Sequence, residues 1–364
     1  MWSRREVLIG AGAVAAAPFA HGCSSGPDYD EAVQNLWRHE PRALHDRVAI
    51  IRALVRYATL APSSHNTQCW RFRVRGDAVA IEPDLARRCP IVDPDDHHMC
   101  ASLGCAAENL AQAAGAFGLA AEGTFEPTNG GRYVMTLSPT APRKSPLFQA
   151  ITERQCTRGD YDGRALSSEE LRLLEAAGTG PGVRLALLTD RRLMEQALEF
   201  VLAGNTAQMS DPRFVRELTD WIRFSRAEAA RTGDGLFAGA SGNPTLPRVA
   251  GLALMKLFFT VGSENDRLAR QVRNASGIAV FTATRVDPAH WVEVGRCYER
   301  FALQATALGV RNAFLNQPVE VTGLRPQFAS WLGLAGQRPD LVVRFGRGPR
   351  MPSSLRRPVN AVLV

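Results

Sequence analysis

The chain has 364 residues, 45% hydrophobic and 22% charged, which fits a soluble globular protein with a substantial core in one large or two ordinary domains. The net charge is +7, yet only Lys144 and Lys256 are lysines and the arginines are scattered, so no basic run interleaved with aromatics points to nucleic acid. Seven cysteines contain no CxxC pair, and free buried thiols are the expectation for the six that follow Cys23.

In chain order, residues 1–27 read as an export signal and tether. Ser3-Arg4-Arg5-Glu6-Val7-Leu8 is a twin-arginine pattern ahead of an apolar run, Leu8 to Ala20, that is too short to span a bilayer comfortably. An ordinary basic n-region of a general export signal is the alternative. The twin-arginine route is favoured because it carries folded, cofactor-loaded proteins, and it makes the Tat machinery a partner. Ala20-His21-Gly22-Cys23 resembles a lipobox. Lipidation of Cys23 would add a membrane tether, though one chain anchors weakly. The expected location is the periplasm or cell envelope.

An apolar helical run over 43–60 ends at Ala61-Pro62, since proline lacks the N–H that continues a helix. Ser63, Ser64, His65, Asn66, Thr67 and Gln68 follow, more polar side chains than a turn needs. An alternating hairpin, 70–74 and 78–82, comes next. The pattern A-P-S-S-H-N-x-Q-x-W resembles the flavin loop of nitroreductase-like FMN proteins, and most of all the Acg-type branch, in which two such halves are fused. Cys69 stands where the family usually has Pro. The resemblance implies an α+β, nitroreductase-like fold, duplicated as a pseudo-dimer with mostly antiparallel sheets and long central helices. It also implies FMN contacts from Pro62, Ser63, Ser64, Asn66 and Gln68.

The duplication has independent support. Residues 104–119 align with 295–310 at a constant offset of 191, matching Gly104, Glu108, Ala111, Ala114, Ala116 and Gly118 to Gly295, Glu299, Ala302, Ala305, Ala307 and Gly309. Both copies have helical apolar spacing and a closing glycine suited to a C-cap. Half one is placed at 28–145, with a strand at 133–137. Half two is placed at 146–364, with a helix at 168–177 and strands at 184–188, 278–283 and 341–344. Residues 205–262 are read as an insertion: a helix through Trp221–Phe224, then a long Gly/Pro-rich irregular loop, hence a lid or a surface-packing loop.

Arg154-Gln155-Cys156-Thr157-Arg158 resembles the family's phosphate motif, with Arg154, Cys156 and Arg158 on the matching positions and Cys156 replacing a serine. Arg356 and Arg357 resemble a second phosphate-facing group. Asn316-Gln317-Pro318 matches the ring-contacting turn, or is simply a polar turn. The counterpart of the Ser63 loop, Gly178–Gly182, has lost its polar set, so one FMN per chain is expected. Asp93 to His98 holds metal-ligand residue types without a recognised spacing. It reads as helix capping, and no metal is expected. No G-x-G-x-x-G opens a βα unit and no hydrolase triad is present. The resemblance implies an FMN-dependent oxidoreductase acting on a nitroaromatic, quinone or similar flat acceptor, or alternatively a flavin-sequestering protein. NAD(P)H as donor is left open, and no catalytic acid or base is assigned.

Overall fold

The structure is a computed structural model that describes residues 28–41, 44–127, 130–334 and 336–364. The export signal and Cys23 lie outside the described residues. Half one contains α1 (Tyr29–Leu36), α2 (Arg47–Thr59), β1 (Trp70–Arg75), β2 (Ala78–Pro83), α3 (His97–Ala116), β3 (Leu119–Glu126) and β4 (Arg132–Pro139). Half two starts with α4 (Pro146–Ala150), α5 (Ser168–Gly178) and β5 (Val183–Leu188). An inserted unit follows: α6 (Arg191–Met209), α7 (Pro212–Trp221), β6 (Ile222–Arg223), α8 (Arg226–Thr232), β7 (Leu236–Phe237), α9 (Arg248–Phe258) and α10 (Val261–Arg273). The half closes with β8 (Gly277–Ala283), α11 (Pro288–Ala307), β9 (Arg311–Phe314), α12 (Gln317–Glu320), α13 (Arg325–Trp331) and β10 (Arg338–Gly346).

The halves share one topology. Half one forms an antiparallel sheet in the order β1-β2-β4-β3, and half two repeats it as β5-β8-β10-β9. Helices α3 and α11 occupy the same place in each chain order. Their closing glycines, Gly118 and Gly309, both take positive φ, the conformation in which glycine ends a helix without a Cβ clash.

The two helices cross at the repeated glycines. A Cβ on Gly104 would lie 1.9 Å from the Val292 carbonyl oxygen, and one on Gly295 would lie 1.8 Å from that of Ala101. Residues 101 and 104 are the counterparts of 292 and 295 at the offset of 191. Each contact is therefore the other's mirror under exchange of halves, as at a two-fold interface. The largest core cluster spans both halves through this crossing, with Leu103, Ala107 and Leu110 of α3 and Val294, Tyr298 and Phe301 of α11 all essentially inaccessible. Leaving β10, the C-terminal segment returns to half one, where Phe72 donates to Val362 O at 2.7 Å and accepts from Val364 N at 2.8 Å. The tail thus covers the free edge of β1.

Strands β3 and β9, directly after the repeat helices, complete both sheets and have too little alternation to stand out in sequence. The insertion is mostly helical rather than irregular. Asn205 lies inside α6 and Gly262 inside α10, so the inserted unit runs from β5 to β8. Helix α7 ends at Trp221, and Ile222-Arg223 pairs in parallel with Leu236-Phe237, where a continuing helix was expected. The glycines form the turns of this small bridge instead of a long loop. All six cysteines among the described residues are free. Among these residues no helix is long and apolar enough to cross a membrane.

Candidate active site

The loop after α2 sits where the halves meet. Two connected cavities, of about 160 and 50 Å3, share Pro62, Ser63 and Arg158. They form one groove with two kinds of wall.

The narrower end is cationic. Arg154, Arg158 and Arg356 line it, together with Cys156 and Trp37. Arg154 is 3% exposed. It donates to Leu60 O at 2.9 Å and faces the buried Glu299 carboxylate at 3.2 Å. Arg356, 9% exposed, donates to Thr59 O at 2.8 Å and to Leu60 O and Ala61 O at 3.2 Å. These two guanidiniums cap the carbonyls at the end of α2, a site that favours cations. Burial, then the Arg154 charge, lowers the Arg356 guanidinium to about 9. Burial raises Glu299 to about 7 despite Arg154. Arg158 makes no side-chain hydrogen bond or ion pair among the described residues and lines both cavities. Three guanidiniums thus line an end whose lining, among the described residues, holds no carboxyl group, with Glu299 paired to Arg154 alone, and an anion at this end would offset the surplus.

The wider end is polar but nearly uncharged. Ser64, Ser102, Asn316, Gln317, His98 and Glu320 line it. Three buried polar atoms on this wall lack partners: His65 Nε2, His98 Nδ1 and Gln317 Oε1. Such atoms are costly unless a ligand or water meets them. Burial, then the charge on His97, lowers His98 to about 3, so it is neutral. Its Nε2 shares a hydrogen bond of 3.1 Å with Asp340 O, and its Nδ1 lies 3.8 Å from Glu320 Oε1. Burial raises the Glu320 carboxyl to about 7, and Gln208 donates to its other oxygen at 2.6 Å. A neutral imidazole thus lies beside a carboxyl group whose burial favours the protonated form. Asn316 accepts from Val342 N at 2.9 Å through its side chain.

Pro62, Ser63, Ser64, Asn66, Arg154, Cys156, Arg158, Asn316, Gln317 and Arg356 therefore come together around one groove, Asn66 at its narrow end. Gln68 and Arg357 do not line it. Gln68 is fully buried, accepts from Arg357 N at 2.8 Å and donates to Gly233 O at 2.8 Å. Asn66 donates to Gly235 O at 2.9 Å and Leu355 O at 3.1 Å. The amide donors of both residues latch the insertion, because Gly233-Asp234-Gly235 packs directly on this loop, while Asn66 still lines the narrow cavity with its Oδ1 unpartnered. Arg87 and Arg223 both pair with Asp234, and Leu236 and Ala240 complete the narrow cavity. Trp37, His98, Glu299 and Glu320 were not read from the sequence as site residues; His98 stood there only in the Asp93–His98 capping cluster and Glu299 only as a repeat residue, and folding alone brings the four to the groove.

The pseudo-symmetric position differs. Ala289, His290, Glu293, Arg296 and Arg300 line an open cleft at the counterparts of His98, Met99, Ser102, Cys105 and Asn109. Glu108 is the repeat mate of Glu299. It pairs with Arg296 at 3.3 Å and Arg300 at 2.9 Å, while Glu293 holds Arg296 at 3.2 Å. Two arginines meet two glutamates there, so no charge surplus remains.

The chain is similar along most of its length to proteins named as NAD(P)H nitroreductases. It is 26% identical over 341 residues to "Putative NAD(P)H nitroreductase Rv3131" of Mycobacterium tuberculosis, covering 86% of this chain and 90% of that protein. It is 23% identical over 330 residues to "Putative NAD(P)H nitroreductase acg" of the same species, covering 86% and 95%. The resemblance to the Acg-type branch is thus met by relatives that span both halves. Solved structures with partial likeness include a nitroreductase with bound FMN from Desulfitobacterium hafniense (20% identity, TM-score 0.37, 58% of this chain and 93% of that one). Another is the FMN-dependent nitroreductase NfnB from Mycobacterium smegmatis in complex with NADPH (14%, 0.36, 60% and 91%). No protein-family model matches the chain.

Proposed function

We propose that the chain is an FMN-dependent oxidoreductase with one flavin site, built across the interface of its own halves. The observation that carries this reading is the charge pattern of the groove. Three guanidiniums with one opposing carboxyl suit a phosphate, and the adjoining wall of unpartnered polar atoms suits the polar edge of a heterocycle. Arg154, Arg158 and Arg356 would hold the phosphate, and Ser63, Ser64 and Gln317 the ring. Bound FMN supplies the hydride chemistry. The chain's own groups bind and orient the flavin, exclude water and hold a proton at Glu320 Oε1 or Oε2. The acceptor proposed is a nitroaromatic, quinone or similarly flat molecule, and NADPH or NADH is the first donor to test. A cell-envelope location through twin-arginine export, with Cys23 lipidated, is part of the same proposal; it would make a membrane quinone an accessible partner.

A second reading is favoured by the latch. Asn66, Gln68 and the Arg87–Asp234–Arg223 cluster hold the insertion against the groove. The groove's volume is below the ~300–1,000 Å3 common for ligand sites, so a whole FMN requires its walls to part, and the insertion lines the cationic end through Leu236 and Ala240. An insertion that recloses over the phosphate end would make the protein a flavin store. Absorbance of the purified protein, with flavin quantified, tests the first step: about one FMN per chain is expected, and two would contradict the single site. Anaerobic mixing separates the readings. Bleaching by NADPH or NADH followed by reoxidation with a nitro compound or quinone supports the enzyme. Bleaching by dithionite alone supports storage.

A further inference from the structure

We propose that the chain binds one divalent transition-metal ion of zinc's class between His65, Cys89 and Glu217, and that this ion fastens the insertion to the loop after α2. The three side chains offer ligand atoms that all lie within 4.8 Å of one another. They come from three segments: His65 from that loop, Cys89 from the stretch between β2 and α3, and Glu217 from α7. Their positions in the chain give no motif spacing, so only folding brings them together.

Each group is prepared for coordination. The His65 Nε2 is buried without a hydrogen-bond partner. Cys89 is 4% exposed and not in a disulfide. Ile91 N and Val92 N each donate to one Glu217 oxygen at 3.0 Å. These bonds fix the carboxylate and leave each oxygen a further lone pair, as outer-shell donors do at metal sites. A thiol binds a dication as the thiolate, so capture of the ion displaces the Cys89 proton. A dication with one thiolate, one carboxylate and one neutral imidazole is electrically neutral, which suits a buried site. A mixed sulfur, nitrogen and oxygen set fits zinc with a fourth position left for water or another ligand. The second cluster of this kind, Asp93, His97 and His98, is different. Asp93 and Asp95 already hold His97 Nδ1 at 3.1 and 2.9 Å, and Arg325 and Arg338 pair with Asp95, so that cluster is neutralised internally.

This inference does not rest on the flavin reading and takes His65 Nε2 out of it: with the ion bound, His98 Nδ1 and Gln317 Oε1 remain as the unpartnered atoms of the groove wall. The test uses the full chain, stripped by a chelator and then titrated with Zn2+ by calorimetry and with Co2+ by absorbance. One ion per chain is expected, with release of about one proton near pH 7 and, for Co2+, a thiolate-to-metal band in the near ultraviolet. C89S removes that band and weakens Zn2+ binding more than the ~100-fold typical of losing an outer-shell partner. E217Q weakens binding while keeping the band, so one informative variant remains should the other misfold. H98Q leaves both signals unchanged. Zn2+ also slows proteolysis of the insertion. No stoichiometric binding to the wild type, a band that persists in C89S, or loss of binding in H98Q would each overturn the assignment.

Discussion

Gly295→Ala perturbs the helix crossing that defines the pseudo-dimer. The new Cβ would sit 1.8 Å from the Ala101 carbonyl oxygen, whereas ordinary contact begins near 3.4 Å. The obstacle is backbone in a buried helix, so no rotamer change relieves it and α3 and α11 must separate by about 1.6 Å. Overpacking costs ~1–3 kcal/mol, at times more, against a helix-propensity gain of ~1 kcal/mol for Ala over Gly. With a rigid neighbour the upper end applies, giving a net loss of about 2 kcal/mol or more. Gly104→Ala, with 1.9 Å to Val292 O, behaves alike. Gly115→Ala is the control: it lies in the same helix, and its Cβ would meet only Arg143 O at 3.7 Å, so it is neutral or stabilising by up to ~1 kcal/mol. Urea unfolding with both midpoint and slope measured gives the comparison. One separation relieves both clashes, so the double variant costs less than the sum of the singles. Wild-type stability for G295A, or strict additivity in the double variant, would refute the shared two-fold crossing.

Arg158→Ala removes the one groove guanidinium not engaged by the protein; a charged hydrogen bond is worth ~1.5–3 kcal/mol, so FMN affinity falls about 10- to 100-fold in a fluorescence titration with little change in stability. Gln68→Ala strands Arg357 N and Gly233 O, each at a cost of ~1–3 kcal/mol. Lower urea midpoints and faster proteolytic cleavage across 233–247 are the expected signs; unchanged proteolysis would remove Gln68 from the latch. Glu320, 17% exposed, carries a folded value of about 7 against 4.5, with Asp93, His97 and Arg325 as its charged neighbours. The folded state then holds more protons between these values, so stability falls as pH rises from about 4.5 to 7. The full penalty above pH 7 is on the order of 3 kcal/mol. In E320Q that part of the pH dependence disappears; a difference between wild type and E320Q that is flat across pH would contradict the reading.

Elements whose signal is local were legible. The hairpin at β1 and β2, helix α5, strands β5 and β8 and the closing glycines Gly118 and Gly309 all follow from periodicity and backbone preference. Strands β3 and β9 were not, because short strands that follow a helix without a break in polarity leave little alternation to read. Within the site, arginines clustered in sequence at 154–158 do converge with Arg356. Whether a polar side chain faces the groove or another part of the protein was not legible. Gln68 and Asn66 have the chemistry of ring ligands, yet the glycine carbonyls of an insertion more than 160 residues away take their donors.

By itself the sequence showed the repeat, because a constant offset preserves Gly104 and Gly295, the positions at which the two helices cross too closely for a Cβ. It also determined the residue types that an anionic, flat ligand needs. Only the tertiary structure decided that the repeat mates Glu299 and Glu108 meet different partners. The first pairs with Arg154 beneath the cationic end of the groove and also feels Arg356, and the second shares two arginines with Glu293. Charge balance depends on which groups lie within a few ångströms in a low-dielectric interior, and that is a property of the fold rather than of the order of residues along the chain.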